Sequence, residues 1–364
     1  MRPLLLALVF ATIGSAQTIR EEPVTFDSVD GVALAGTVSI PDGDGPFPGV
    51  VLVSGSGLQD RDGGPDSPLL PAGYRMYRDL AHGLTERGIV VLRYDERGAG
   101  ESTAGPNPEA VTTLDYADDA KAAARTLAAR PDVRWVGIVG HSEGGTVAPL
   151  AATAEAAVDG VVMVGASGVS GREIVLEQNR TGLAGAGVSE EATTAFLTRI
   201  DSTFALLAAT VGRDLDDETR EAVEQGLTDA FGGLPEAEAA KIGMTPALVP
   251  TVVAQQMRPV GSAWYRTFLA LDPAEPVAAL RVPALALYFA LDQQVSPALN
   301  AGPMREALAA SESPDWEVVT IDGVNHVFQR AVTGAVSEYA TLDAALDPDV
   351  PDAIAAWILS VASR

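Results

Sequence analysis

The sequence contains no cysteine. That absence excludes disulfides, a thiol nucleophile, thiolate metal sites and the lipid-anchoring cysteine of bacterial lipoproteins. Lysine is nearly missing too: Lys121 and Lys241 are the only two, so almost all positive charge is arginine. The formal net charge of −25 repels nucleic acid and anionic lipid, and neither is expected as a partner. Strong acidity with so little lysine also suits a salt-rich habitat, where screening would relieve self-repulsion and raise stability. Beyond the first residues, no apolar run reaches the ~18 residues that a membrane span needs, so no membrane anchor is expected. Internal repeats, low-complexity tracts, a P-loop and a Gly-x-Gly-x-x-Gly fingerprint are all missing. Histidine is scarce. Only His82, His141 and His326 are present, which leaves three positions for an imidazole base.

What remains is the composition of a globular protein, 47% hydrophobic and 20% charged, long enough at 364 residues to bury a large core. The first residues read as a secretory signal. Arg2 supplies the positive start, Pro3 to Ile13 the apolar stretch, and Gly14-Ser15-Ala16 a small-residue cleavage site. Residues 1–16 are therefore expected to be removed and the protein exported, to the periplasm or beyond.

A β-rich stretch from Glu22 to Pro41, broken at Asp30-Gly31, predicts an antiparallel hairpin. Strand and helix patterns then alternate. Gly49 to Val53, Ile89 to Tyr94, Val136 to His141 and Gly160 to Val164 are short apolar runs of the kind found in central parallel strands. Helical patterns over Tyr74 to Arg87 and Thr113 to Ala129 separate them, so a parallel sheet covered by helices follows. From residue 169 to 262 only helices are expected. Ser189 caps one that carries Phe196, Ile200, Phe204 and Leu207 on one face; Asp216 or Asp217 caps a second; Thr245-Pro246 starts a third. Strands resume at Pro283 to Phe289 and Trp316 to Ile321, and a helix over Val350 to Val361 closes the chain. A helical block between strands of one sheet reads as a cap.

The run Val136 to Val139 ends in Gly140-His141-Ser142-Glu143-Gly144, and a helical pattern follows. This is a Gly-x-Ser-x-Gly nucleophile elbow, a sharp strand-to-helix turn that lifts a serine hydroxyl above the sheet. A serine hydroxyl is a poor nucleophile and needs a base, with a third group to orient that base. His82 falls in a helix before the elbow, and His141, adjoining Ser142 on a tight turn, packs beside it as a structural residue. His326, just past the last strand, is the expected base. The acid should follow the preceding strand, where Asp292 stands. Asp272 reads as a turn or cap, and Asp322 lies too close in sequence to His326 to face it. The order Ser142, Asp292, His326 is that of α/β-hydrolases. The oxyanion needs two donors: the N–H of Glu143, and one from the loop Ser54 to Asp62, where Ser56 is favoured and Gly57 is next.

With these elements placed, the sequence resembles the α/β-hydrolase superfamily, and more narrowly the EstD-type bacterial carboxylesterases grouped with serine aminopeptidase-like S33 hydrolases. The matching stretches are Val53 to Asp62, Leu92 to Ser102, Gly140 to Gly145 and Gly323 to Gln329. The resemblance implies an α/β-hydrolase fold: a mostly parallel sheet flanked by helices, with core at 17–168 and 263–364 and a helical cap at 169–262. It makes Asp60, Arg61 and Asp95 to Arg97 structural elements framing the site. One departure is visible: the acid loop of such proteins reads Gly-x-x-Asp, and here it is Phe289-Ala290-Leu291-Asp292.

The expected activity is hydrolysis of short- or medium-chain carboxylic esters through an acyl-enzyme on Ser142, with no metal or organic cofactor. Cap residues Phe196, Phe204, Leu206 and Leu207, with Trp264 and Tyr265, would set specificity. A serine exopeptidase or amidase is the enzymatic alternative, since the same triad cleaves amides. An inactive hydrolase fold serving as a binding protein is the other.

Overall fold

The computed structural model describes residues 19–64 and 67–364, so the expected signal, residues 1–16, lies outside the described residues. Strands β1 (Arg20–Asp27) and β2 (Ala33–Ile40) form the hairpin, which turns through left-handed Asp30 and Gly31 at φ 59° and 73°. Then come β3 (Phe47–Val53), α1 (Met76–Thr85), β4 (Val90–Tyr94), α2 (Thr113–Ala128), β5 (Val133–His141), α3 (Glu143–Ala152) and β6 (Gly160–Val164). Seven helices follow without a strand: α4 (Gly171–Gly185), α5 (Glu190–Ala208), α6 (Asp217–Gly232), α7 (Glu236–Ala239), α8 (Val249–Val260), α9 (Ala263–Ala270) and α10 (Ala274–Ala278). The chain ends with β7 (Ala284–Phe289), α11 (Pro297–Ala310), β8 (Trp316–Ile321) and α12 (Asp349–Val361).

The eight strands of the described residues join one sheet in the order β1-β2-β4-β3-β5-β6-β7-β8. β2 runs antiparallel to both neighbours, and every pair from β4 to β8 is parallel. Alternate residues of the apolar runs serve opposite faces, as strand geometry requires. Val50 and Leu52 pack with Leu80 and Leu84 of α1 and Ile354 and Ile358 of α12. Val51 and Val53 pack with Leu127 of α2, Val147 of α3 and Leu308 of α11. Both faces are thereby covered, which is why these strands read as continuous hydrophobic runs.

The cap has a core of its own. Phe196, Ile200, Phe204 and Leu207 of α5 are buried against Val223 and Leu227 of α6 and Val253 of α8. Ser189 and Asp216 cap α5 and α6, accepting from the N–H groups of Ala192 and Thr219. The helix expected to start at Thr245-Pro246 starts later, at Val249, after a single turn closed by Leu248 N–H on the Thr245 carbonyl. Pro250 explains the delay. It has no N–H for the carbonyl of Pro246 and its ring would crowd that carbonyl, so an earlier start would break within its first turns. The helical block also continues past residue 262: α9 packs on α4, α5 and α8, and the chain returns to the sheet only at β7.

Candidate active site

The elbow is a local consequence of sequence. β5 delivers Ser142 at φ 55°, ψ −118°, and α3 begins at the next residue. A non-glycine residue in that region is strained, and the surroundings must hold it there. The Ser142 N–H donates to the Val164 carbonyl of β6 at 2.8 Å. The two motif glycines make the crossing possible. A Cβ at Gly140 would run into the Gly144 carbonyl, and one at Gly144 would lie 2.5 Å from the Val53 carbonyl oxygen.

His326 and Asp292 meet across the ends of β7 and β8. His326 Nδ1 lies 2.7 Å from Asp292 Oδ2, and both residues are buried. The other carboxylate oxygen, Oδ1, accepts from the Gln294 and Val295 N–H groups at 2.8 Å each. The carboxylate is therefore clamped with one oxygen committed to the imidazole. The missing glycine of the acid loop leaves no gap. Phe289 is the last residue of β7, fully buried, and packs edge-on against Phe328 at 5.6 Å. No residue from 289 to 292 adopts a positive φ, so the turn into Asp292 does not need one. It is held by the Leu291 N–H on the Val324 carbonyl at 3.1 Å.

The loop that carries His326 is folded around Asn325, which is wholly buried. Its Oδ1 accepts from the Val327 and Gln329 N–H groups at 3.1 and 2.9 Å. Asn325 was not among the residues expected to matter, although an asparagine next to His326, whose side chain bonds its own loop, is the kind of signal that marks such a turn. Of the other histidines, His82 bonds Glu21 at 2.9 Å on α1, and His141 is buried beside the elbow as expected. Asp272 accepts from the Ala274 N–H at 2.9 Å, in a turn.

The loop after β3 closes over Ser142 from the other side. At Gly55 a Cβ would stand only 3.0 Å from the Ser142 Cβ, so glycine permits the close approach. Gly55, Ser56, Ser142, Glu143 and His326 all line one cavity of about 380 Å³; Gly57 is not part of that wall. Glu143, at the first position of α3, presents an N–H that has no partner inside the helix. Its carboxylate is buried and accepts from Thr113 Oγ1 at 2.7 Å and Trp264 Nε1 at 2.8 Å. Burial raises its pKa, and the donors from Thr113, Trp264 and Ser56 moderate the rise.

Under the same loop lies a second buried acid. Glu96 accepts from Ser54 Oγ at 2.5 Å and from the Gln59 N–H at 3.1 Å. Burial, with the nearby charge of Glu143, pushes its pKa up to about 8 against the bonds from Ser54 and Gln59. Its neighbour Asp95 binds the Arg61 guanidinium through both oxygens, at 2.9 and 2.6 Å. Burial would raise Asp95, but Arg61 and the N–H of Glu101 hold it below its ordinary value. Asp95, Glu96 and Arg61 thus brace the loop from beneath.

The far wall of the cavity is supplied by Ile174, Val175 and Gln178 of α4 and by Trp264, Tyr265 and Phe268 of α9. Trp264 and Tyr265 were expected there. Phe196, Phe204 and Leu207 were not found there: they point into the cap's own core, and Leu206 packs against it. An amphipathic pattern gives the buried face of a helix but not the partner that buries it.

Residues 73–181 match the protein family described as serine aminopeptidase, S33. Over 148 residues, 39% of this chain, the sequence is 38% identical to the esterase EstD of Thermotoga maritima. That match spans 33% of the curated relative's length. Among solved structures, DcsB in complex with its substrate analogue is similar at a TM-score of 0.54 and 18% identity, over 95% of this chain and all of that one. A hypothetical protein from Pseudomonas aeruginosa is similar at 0.50 and 19% identity, over 98% and 99% of the two chains. An esterase of Pyrococcus furiosus is similar at 0.50 and 14% identity, over 95% and 91%. At such identities the likeness is one of fold. Strand order and these similarities together give the chain an α/β-hydrolase fold.

Proposed function

We propose that the protein is an exported serine esterase that hydrolyses short- to medium-chain carboxylic esters through an acyl-enzyme. The observation that carries this reading is the buried 2.7 Å His326–Asp292 pair set against a serine held at φ 55° on the same cavity. Asp292 accepts from Nδ1–H and so leaves Nε2 of His326 as the free base. His326 takes the Ser142 proton as Oγ attacks the ester carbonyl. Negative charge on the carbonyl oxygen is met by the N–H groups of Glu143 and Ser56, each worth roughly 3–4 kcal/mol where such donors have been removed. The imidazolium then protonates the departing alcohol. A water, deprotonated by His326, attacks the acyl carbon, and the imidazolium passes that proton to Ser142 Oγ as the carboxylic acid departs.

The character of the cavity supports esters over peptides. An exopeptidase must hold a charged chain terminus. Among the described lining residues there is no lysine or arginine, and the one carboxylate, Glu143, already accepts from Thr113 and Trp264. A neutral substrate fits such a wall better. The expected result is turnover of p-nitrophenyl acetate and butyrate without turnover of aminoacyl p-nitroanilides. Ser142→Ala should lower ester turnover by at least ~10³-fold. Preferential cleavage of the anilides would replace this reading with an exopeptidase. Failure of a fluorophosphonate probe to label folded protein would replace it with a binding role.

A further inference from the structure

We propose that Tyr77 and His141 form a hydrogen-bond relay behind Ser142 that ties the oxyanion loop to the base loop, and that both are positioning residues for the hydrolysis. The inference rests on the esterase reading. Four groups are joined end to end. The Gly55 N–H donates to the Tyr77 hydroxyl oxygen at 2.6 Å, and that oxygen lies 3.0 Å from His141 Nδ1. His141 Nε2 lies 2.9 Å from the backbone carbonyl oxygen of His326.

The direction of every bond follows from valence. A carbonyl oxygen only accepts, so His141 carries its proton on Nε2. Nδ1 is then an acceptor, and the Tyr77 hydroxyl is its donor. The same hydroxyl oxygen accepts from Gly55. Donors and acceptors match without a gap, and each bond polarises the next. Tyr77 and His141 are buried, and His141 is further caged by the Phe328 ring at 4.6 Å. Burial raises the Tyr77 phenol, which therefore keeps its proton. Burial and the adjacent His326 lower His141 well below the ordinary histidine range, so the imidazole stays neutral. The relay thus has one state over the pH range in which such an enzyme would work.

Its ends are the informative part. One is the amide of Gly55, the residue before the proposed donor Ser56. The other is the backbone of the base itself. Each must be held within about 0.5 Å of its place around Ser142 for an acyl transfer to proceed. Tyr77 comes from α1 and His141 from the last position of β5. Two loops from opposite ends of the chain are thereby referred to the strand that carries the nucleophile. Neither side chain exchanges a proton with substrate.

Tyr77→Phe keeps the ring and removes the hydroxyl. His141→Asn keeps an acceptor near Nδ1 and removes the donor to His326. Each is expected to lower kcat on p-nitrophenyl butyrate, and the rate of fluorophosphonate labelling at Ser142, by about tenfold, with KM within about twofold. Because either change breaks the same chain, the double variant should lose little more than the worse single one. His141→Gln, whose amide reaches further toward the His326 carbonyl, should recover part of the loss. Wild-type labelling by Tyr77→Phe would overturn the proposal. So would losses that multiply in the double variant, or a fall in melting temperature with kcat unchanged. Labelling needs no ester, so a wild-type protein that labels but cleaves no ester would refute the substrate reading and leave the relay judged on labelling rates.

Discussion

The two walls of the cavity are constructed on different terms. On the sheet side, Gly55, Ser56, Ser142 and His326 stand on loops at the ends of β3, β5 and β8, and their supports are hydrogen bonds between loops far apart in sequence. On the cap side, α4 and α9 contribute mostly side-chain surface. Trp264 stacks on Phe268 at 5.6 Å, and Ile174 and Val175 lie nearby. Two polar ties join that surface to the core, Trp264 to Glu143 at 2.8 Å and Gln178 to the Gln294 carbonyl at 3.1 Å. Misplacement by ~1 Å can cost a reaction a hundredfold, and the wall proposed to perform the chemistry has its backbone pinned. The other wall need only offer volume and apolar contact, which can change without disturbing the first.

The strongest way to break that contrast is through Asp292. In Asp292→Asn the two N–H groups of Gln294 and Val295 keep an oxygen at the Oδ1 position, so the amide nitrogen must face His326. Nδ1 then has to accept, the proton moves to Nε2, and the imidazole can no longer take the Ser142 proton. A loss of ~10³–10⁴ in kcat is expected, with the cavity otherwise intact and ligand binding by a non-reactive ester analogue unchanged. A loss below tenfold would mean that the pair is structural.

Glu96 probes the support beneath the oxyanion loop. Its pKa is raised in the fold, so the folded protein holds a proton that the unfolded chain releases near pH 4.5. The unfolded state binds fewer protons between those two values, and stability contributed by this group falls as pH rises toward about 8. In Glu96→Gln that dependence disappears. Relative to wild type, the variant should therefore gain a few kcal/mol between pH 5 and 8, read from denaturant midpoints. Parallel profiles for the two proteins would show that Glu96 titrates normally.

How much of this was legible depended on whether a constraint was local. The elbow could be read because its strain is confined to five residues, and Gly140 and Gly144 are the imprint of the crossing it forces. Asp292 and His326 could be placed from strand order alone. The fold's central strands were legible because burial on both faces removes the polar alternation that would otherwise mark them. Tyr77 was not legible as a support of the site, since its partner Gly55 is 22 residues away, and Glu96 was placed as a framing element by the family resemblance alone, its partner Ser54 being 42 residues away. The cap lining was misjudged for a related reason. Phe196, Phe204 and Leu207 share a face with Ile200, and only packing reveals that α6 and α8, rather than the cavity, receive it.

Trp264 gives the smallest expected effect and the clearest test of the contrast. Trp264→Phe preserves an aromatic ring beside Phe268 but removes the Nε1 donor to Glu143, leaving Thr113 to satisfy Oε1. The lost bond to a buried carboxylate should cost about 1–2 kcal/mol of stability. The proposed mechanism places the chemistry on the other wall, so kcat on p-nitrophenyl acetate should stay within about threefold. The smaller ring enlarges the cavity at the cap side, and kcat/KM should shift toward longer acyl esters by a few-fold, the scale of one or two added methylenes. A uniform fall across all chain lengths would have a different meaning. It would show that the Trp264–Glu143 tie holds the oxyanion donor itself, and that the two walls are one mechanical unit.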